Sequence, residues 1–141
     1  MNADKSSPPK LTPRITTDNL ASAWFITGTD TEVGKTFVTC ALLLILKRQG
    51  IPALGMKPIA AGTGEDGTND DVEQIIAASN VQVDRRLVNP YLFSEPIAPH
   101  IAAARSGKII DIERINAAFN SLREMQAVIL VEGVGGFRVP L

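Results

Sequence analysis

Residues Gly28-Thr29-Asp30-Thr31-Glu32-Val33-Gly34-Lys35-Thr36 decide how this chain reads. They follow the apolar, strand-forming stretch Trp24-Phe25-Ile26-Thr27 and precede an apolar segment of helical character. A strand feeding a loop that ends in Gly-Lys-Thr aims backbone N–H groups and a helix N-terminus at one point, where an anion is favoured. In such a phosphate-binding loop Lys35 reaches the β- and γ-phosphates and the Thr36 hydroxyl ligates Mg²⁺. The strict pattern wants a glycine where this chain has Thr29, and Gly28 stands one residue earlier. The order strand, loop, helix supports the phosphate reading over the bland one, in which Gly34 is a turn residue and Lys35 and Thr36 open an ordinary helix.

Downstream, Phe37 to Leu46 is apolar almost all round, and Lys47, Arg48 and Gly50 supply a cationic last turn and a glycine stop. This predicts a helix sandwiched between other elements. Ala53-Leu54-Gly55-Met56 reads as a second strand delivering Lys57 at its end, with Pro58 blocking further pairing and starting a loop over 59–68. Asn69 or Asp70 caps a helix whose Val72, Ile75 and Ile76 share a face. Asn89-Pro90-Tyr91 and Pro96 to Pro99 punctuate an irregular connection, and Asp111 caps an amphipathic helix carrying Ile112, Ile115, Phe119 and Leu122.

Ala127 to Val131 is a continuous apolar run, the mark of a strand buried on both faces of a parallel sheet, and it ends in Glu132-Gly133-Val134-Gly135-Gly136. Strands alternating with helices predict a doubly wound α/β fold with a parallel sheet, whose ligands lie beyond the carboxyl ends of the strands. Lys35, Lys57 and Glu132 all fall at such ends.

The 141 residues suit one domain, and 45% apolar with 21% charged residues is ordinary globular composition. A net charge of −1 gives no global footprint for nucleic acid or an anionic membrane, so any phosphate binding must be local. Cys40 is the only cysteine; it excludes an intrachain disulfide, and its apolar setting reads as a packed thiol rather than a nucleophile. The apolar run from Ala41 to Leu46 is too short to span a bilayer. Residues 1–22, rich in Ser, Thr, Pro and mixed charge, read as a disordered tail rather than a signal peptide or anchor, leaving 23–141 as the nucleotide-binding part of a cytoplasmic protein.

From Trp24 to Leu141 the chain resembles the dethiobiotin synthetase family of the P-loop NTPase superfamily. The resemblance rests on the loop Gly28 to Thr36, on Gly55-Met56-Lys57-Pro58-Ile59-Ala60, on Asn89-Pro90-Tyr91 with Ala98-Pro99-His100, and on Val131-Glu132-Gly133-Val134-Gly135-Gly136. It implies P-loop NTPase architecture and a ligase that uses Mg²⁺, ATP and CO₂ to close a cyclic urea on 7,8-diaminononanoate. One amine becomes a carbamate, the carbamate oxygen takes the γ-phosphoryl group, and the second amine attacks the mixed anhydride. Each stage builds negative charge, which fixed cations and N–H donors stabilise.

The resemblance implies three catalytic residues: Lys35 on the phosphates, with Lys57 and Thr31 on the carbamate. Asp30, Thr31, Glu32, Val33, Gly34, Lys35 and Thr36 would line the nucleotide, joined by Glu132, Gly133, Gly135 and Gly136 near the phosphate and diamine. Thr36, Asp71 and Glu132 would gather Mg²⁺, a set of hard oxygens that suits it. Asp70 competes with Asp71 for that role, and either could serve only the helix N-terminus. The lesser alternative for Lys57 is a solvated strand-end lysine, and His100 reads as structural beside a helix start. Ala61 stands where the family often has a serine, and Phe137 replaces a common tryptophan.

The resemblance also implies strands and helices beyond Leu141, which makes 23–141 the N-terminal part of a P-loop nucleotide-binding domain, and a homodimer at full length. Residues 1–141 alone would then leave an edge strand uncovered. The alternatives are a partitioning-type ATPase switch, disfavoured because Asp30 replaces the early loop lysine, a cobyrinate-type amidoligase domain, which needs a glutaminase elsewhere, and a nucleotide-binding fragment without turnover.

Overall fold

The computed structural model describes residues 23–141, so the predicted tail over 1–22 lies outside the described residues. Three strands form the main sheet: β1 (Ala23–Ile26), β2 (Ala53–Met56) and β5 (Val128–Glu132), in the order β1-β5-β2, all parallel. The register pairs Ile26 with Glu132 and Met56 with Val131, so the three strands end level.

Side chains alternate across this sheet, as strand geometry requires. On one face Ala53, Val128 and Leu130 pack against Leu43 and Leu46 of helix α1 (Lys35–Arg48) and against Ile75 and Ala78 of α2 (Asp70–Ala78). On the other, Leu54, Met56 and Ile129 pack against Ala118 and Leu122 of α5 (Ile112–Arg123). Helices on both faces of a parallel sheet make the fold doubly wound, as the alternation of strands and helices predicts. Gly55 is required here, because a Cβ at that position would sit 2.2 Å from Ile75 Cγ2 and 3.2 Å from Leu43 Cδ1.

Three expectations are corrected. Ile59–Ala61 is not loop but strand β3, which pairs in parallel with β4 (Tyr91–Phe93) in a second, two-stranded sheet. Pro58 lacks an N–H and ends pairing in the main sheet, yet its carbonyl accepts from the Tyr91 N–H at 3.0 Å and so starts the second one. The stretch around Asn89-Pro90-Tyr91 is likewise ordered, with the short helix α3 (Arg85–Val88) leading into β4 and α4 (Pro99–Arg105) following it. Lastly, α1 is not sandwiched: Lys35, Thr39, Leu43 and Leu46 are buried, whereas Phe37, Val38, Leu42, Leu44 and Ile45 are exposed among the described residues.

The outer edge of β2 is closed by the end of α2. Asn80 exchanges hydrogen bonds with the Ala53 backbone through its own N–H and Oδ1, and Ser79 Oγ accepts from the Gly55 N–H at 3.0 Å. Two polar side chains thus stand in for a neighbouring strand. Asn69, rather than Asp70, caps α2 by accepting from the Val72 N–H at 3.2 Å, and Asp111 caps α5 as predicted.

Candidate active site

The three level strand ends open into one cleft of about 850 Å³. Thr31, Glu32, Gly34, Lys35 and Thr36 line it from the loop after β1, Lys57 from the end of β2, Asp71 from α2, and Glu132, Gly135 and Gly136 from the end of β5. The loop reverses through two left-handed residues, Glu32 at φ 59° and Gly34 at φ 90°. No side chain caps α1, so its first-turn N–H groups are left facing outward, an arrangement suited to an anion. A Cβ on Gly136 would lie 3.0 Å from the Thr29 carbonyl oxygen, a tight contact, so glycine lets the segment after β5 pass this close to the loop without displacing it.

A buried polar cluster forms the floor. Lys57, 5% exposed, donates from Nζ to Asp71 Oδ2 at 2.5 Å and to Glu132 Oε1 at 2.7 Å. Thr36 Oγ1 donates to the same Glu132 Oε1 at 2.8 Å. Glu132 is 0% exposed, and its second oxygen, Oε2, has no hydrogen-bond partner. A buried carboxylate oxygen without a donor is costly, and a cation relieves that cost. Lys35 Nζ donates to the Asp30 carbonyl at 2.6 Å, across the loop it belongs to.

Burial is the largest single influence on Asp71 and pushes its carboxyl up, but the Lys57 hydrogen bond and charge, then Thr36 and Lys35, outweigh it and hold the group below the ordinary carboxylate range. Cys40, within α1, is partly buried against the core; burial, then the charges of Glu132 and Asp71, raise its thiol and keep it protonated. This is the packed, unreactive thiol expected from its apolar setting.

Of the two neighbouring aspartates, Asp71 reaches Lys57 at the cleft floor, while Asp70 is exposed. Lys57 is no solvated strand-end lysine. Asp30, Val33 and Gly133 do not line the cleft, and Val33 is exposed. His100 lies exposed in the first turn of α4. Ala61 lines the cleft, while Phe137 is exposed.

Sequence reasoning missed two contributors. Arg138 lines the cleft and adds a cation to it. Asn89 is buried, and its Nδ2 donates to the carbonyls of Lys57 at 2.7 Å and Tyr91 at 3.0 Å, tying the end of β2 to the start of β4. With the Lys57 N–H bound to the Val88 carbonyl at 2.9 Å, this fixes the Lys57 backbone and leaves only its side chain to move. The sequence signal for it was a polar residue beside Pro90 in a stretch read as irregular.

A parallel α/β sheet with a Gly-Lys-Thr loop after β1 and a carboxylate at the end of β5 defines a P-loop nucleotide-binding protein. Residues 22–141 match the family model described as an AAA domain, and the chain belongs to that family. Among curated proteins it is 56% identical over 122 residues to the ATP-dependent dethiobiotin synthetase BioD of Aromatoleum aromaticum, covering 84% of this chain and 54% of the relative. It is 52% identical to the protein of that name from Nitrosospira multiformis, over 86% of this chain and 54% of the relative, and 47% identical to that of a Janthinobacterium species, over 83% and 52%. The chain thus spans about half the length of the curated relatives it matches.

Proposed function

We propose that the protein is an ATP-dependent dethiobiotin synthetase, using CO₂ to close the cyclic urea of dethiobiotin on 7,8-diaminononanoate. The observation that carries the reading is the convergence of Lys35, Thr36, Lys57 and Glu132, from three strand ends, on one cleft floor. The names of the relatives supply the reaction class.

The residues present fit Mg²⁺: Thr36 Oγ1, an Asp71 oxygen and the incompletely satisfied Glu132 carboxylate are hard donors of the kind it takes alongside water and phosphate. Bound there, the ion would neutralise charge on the β- and γ-phosphates. The chain's own groups do the rest. Lys35 and the first-turn N–H groups of α1 hold the triphosphate and stabilise charge as the γ-phosphoryl group moves. Lys57 and Thr31 hold the substrate carbamate in line with it. Glu32 and the backbone of Gly135 and Gly136 flank the diamine and the departing phosphate, with Asp30, Val33 and Gly133 shaping the site from outside the cleft.

The protein works in this reading as a cytoplasmic homodimer at full length, on small molecules alone, without nucleic acid or membrane partners. The net charge of −1, which gives no global footprint for nucleic acid or an anionic membrane surface, supports that reading. The test is to incubate the intact protein with diaminononanoate, ¹³C-bicarbonate, Mg²⁺ and ATP and to search for the labelled cyclic urea by mass spectrometry. Its appearance with matching ADP supports the synthetase. ATP hydrolysis that ignores the diamine would favour a switch-type ATPase instead.

A further inference from the structure

We infer that the Lys57 ammonium and a divalent cation are alternative occupants of the Asp71–Glu132 carboxylate pair, so that arrival of metal and nucleotide expels Lys57 towards the substrate. This rests on the proposed reading in one respect, that a metal binds at this floor.

The argument begins with the oxygens available. Glu132 is 0% exposed. Its Oε1 already receives both Lys57 Nζ and Thr36 Oγ1, at 2.7 and 2.8 Å. Its Oε2 is closed off from solvent and meets no donor. Lys57 and Thr36, which hold Oε1, both line the cleft, so a cation entering from it meets Glu132 on the side where the ammonium already sits. A magnesium ion needs oxygen contacts of about 2.0–2.1 Å in near-octahedral array. It cannot take that face of Glu132 while an ammonium group holds the same oxygen.

Charge points the same way. Two carboxylates bring two negative charges to the floor, and Lys57 offsets one of them. A divalent ion offsets both on its own, whereas ion and ammonium held on the same Glu132 oxygen would repel each other at close range. The less firmly held partner leaves. Glu132 sits on the central strand with its carboxylate pinned by Thr36 of the phosphate loop. The Lys57 head group rides on a flexible four-carbon stem, and its backbone stays fixed by Val88 and Asn89.

The displaced ammonium has a destination, because the cleft it lines also holds Thr31, Gly135 and Gly136. A cation released from the floor becomes available to carboxylate oxygens of a substrate in that space. Metal binding and capture of an acidic substrate group then favour one another, since each removes Lys57 from the arrangement that opposes the other.

The experiment follows the ammonium group itself in the intact protein. With ¹⁵N-labelled lysine and the Lys57 signal assigned by its loss in Lys57→Met, exchange of the Lys57 ammonium protons with water is measured by NMR. It should rise about tenfold or more when Mg²⁺ and a non-hydrolysable ATP analogue are added together, and stay slow with the analogue and a chelator. In calorimetry, Lys57→Met should show about tenfold tighter Mg²⁺ dependence of analogue binding than the unchanged protein. An unaltered Lys57 signal at saturation, or weaker Mg²⁺ dependence in the variant, overturns the inference and leaves the proposed function standing. Analogue binding by the unchanged protein with no Mg²⁺ dependence overturns both.

Discussion

Lys57 Nζ and Glu132 Oε1, 75 residues apart in the chain, meet at 2.7 Å with both side chains almost wholly buried. The contact joins β2 to β5 at the carboxyl end of the sheet. It ties the stability of the fold to the chemistry of the cleft, because the same two groups serve both.

Removing one partner of a buried pair strands the other charge. Lys57→Met in metal-free buffer is expected to lower stability by about 3–5 kcal/mol in urea unfolding. Lys57 also pairs with Asp71, but that carboxylate is 42% exposed and contributes much less. The double variant Lys57→Met/Glu132→Gln should recover part of the loss, since no buried charge is then left unpaired. A single variant as stable as the unchanged protein would contradict the pairing.

Asp71 sets a pH dependence. Burial raises its carboxyl, but Lys57, Thr36 and Lys35 together lower it below the ordinary range. A group lowered in the folded state contributes stability that is fully present above its unfolded pKa and is lost as pH falls through the folded one. In Lys57→Met the chief opposing influence is gone, so protonation of Asp71 should move to higher pH. A ¹³C titration of the carboxyl group measures this, and identical midpoints in the two proteins would contradict it.

Gly55 sets the closeness of the helices to the sheet. Gly55→Ala places a methyl 2.2 Å from Ile75 Cγ2, and the strain is expected to cost about 1–3 kcal/mol in denaturant unfolding. Ile75→Leu, which has no branch methyl at Cβ, should recover part of it when combined. A neutral Gly55→Ala would show that α2 moves away freely.

At the loop, Lys35→Ala is expected to lower turnover by about 10²- to 10³-fold, the usual effect of losing one preorganised donor to a charged transition state. Steady-state kinetics with saturating ATP checks this. Unchanged turnover would remove Lys35 from the mechanism.

Much of this was legible from residue order. The run Gly28 to Thr36 announced a strand, a loop and a helix, and the unbroken apolar run before Glu132 announced a central parallel strand, because period and turn chemistry are local properties. The second sheet was not legible. Ile59–Ala61 is three residues long and sits between a proline and a glycine-rich loop, so its partner Tyr91–Phe93 is found only through tertiary pairing. The exposed outer face of α1 was misread because apolar residues all round a helix say nothing about which face is covered. The convergence of Lys35, Lys57 and Glu132 was foreseen from strand ends, whereas the Lys57 bridge to Asp71 and Glu132 depends on side-chain geometry that spacing does not encode.

The central claim is that a carbamate oxygen attacks the γ-phosphoryl group in this cleft, and isotope transfer tests it most directly. The intact protein is given diaminononanoate, ATP and Mg²⁺ with ¹⁸O-labelled bicarbonate, and the inorganic phosphate released at short times is analysed by mass spectrometry. The account predicts phosphate carrying one ¹⁸O, taken from the carbamate as the ring closes. Ring closure with unlabelled phosphate would contradict it.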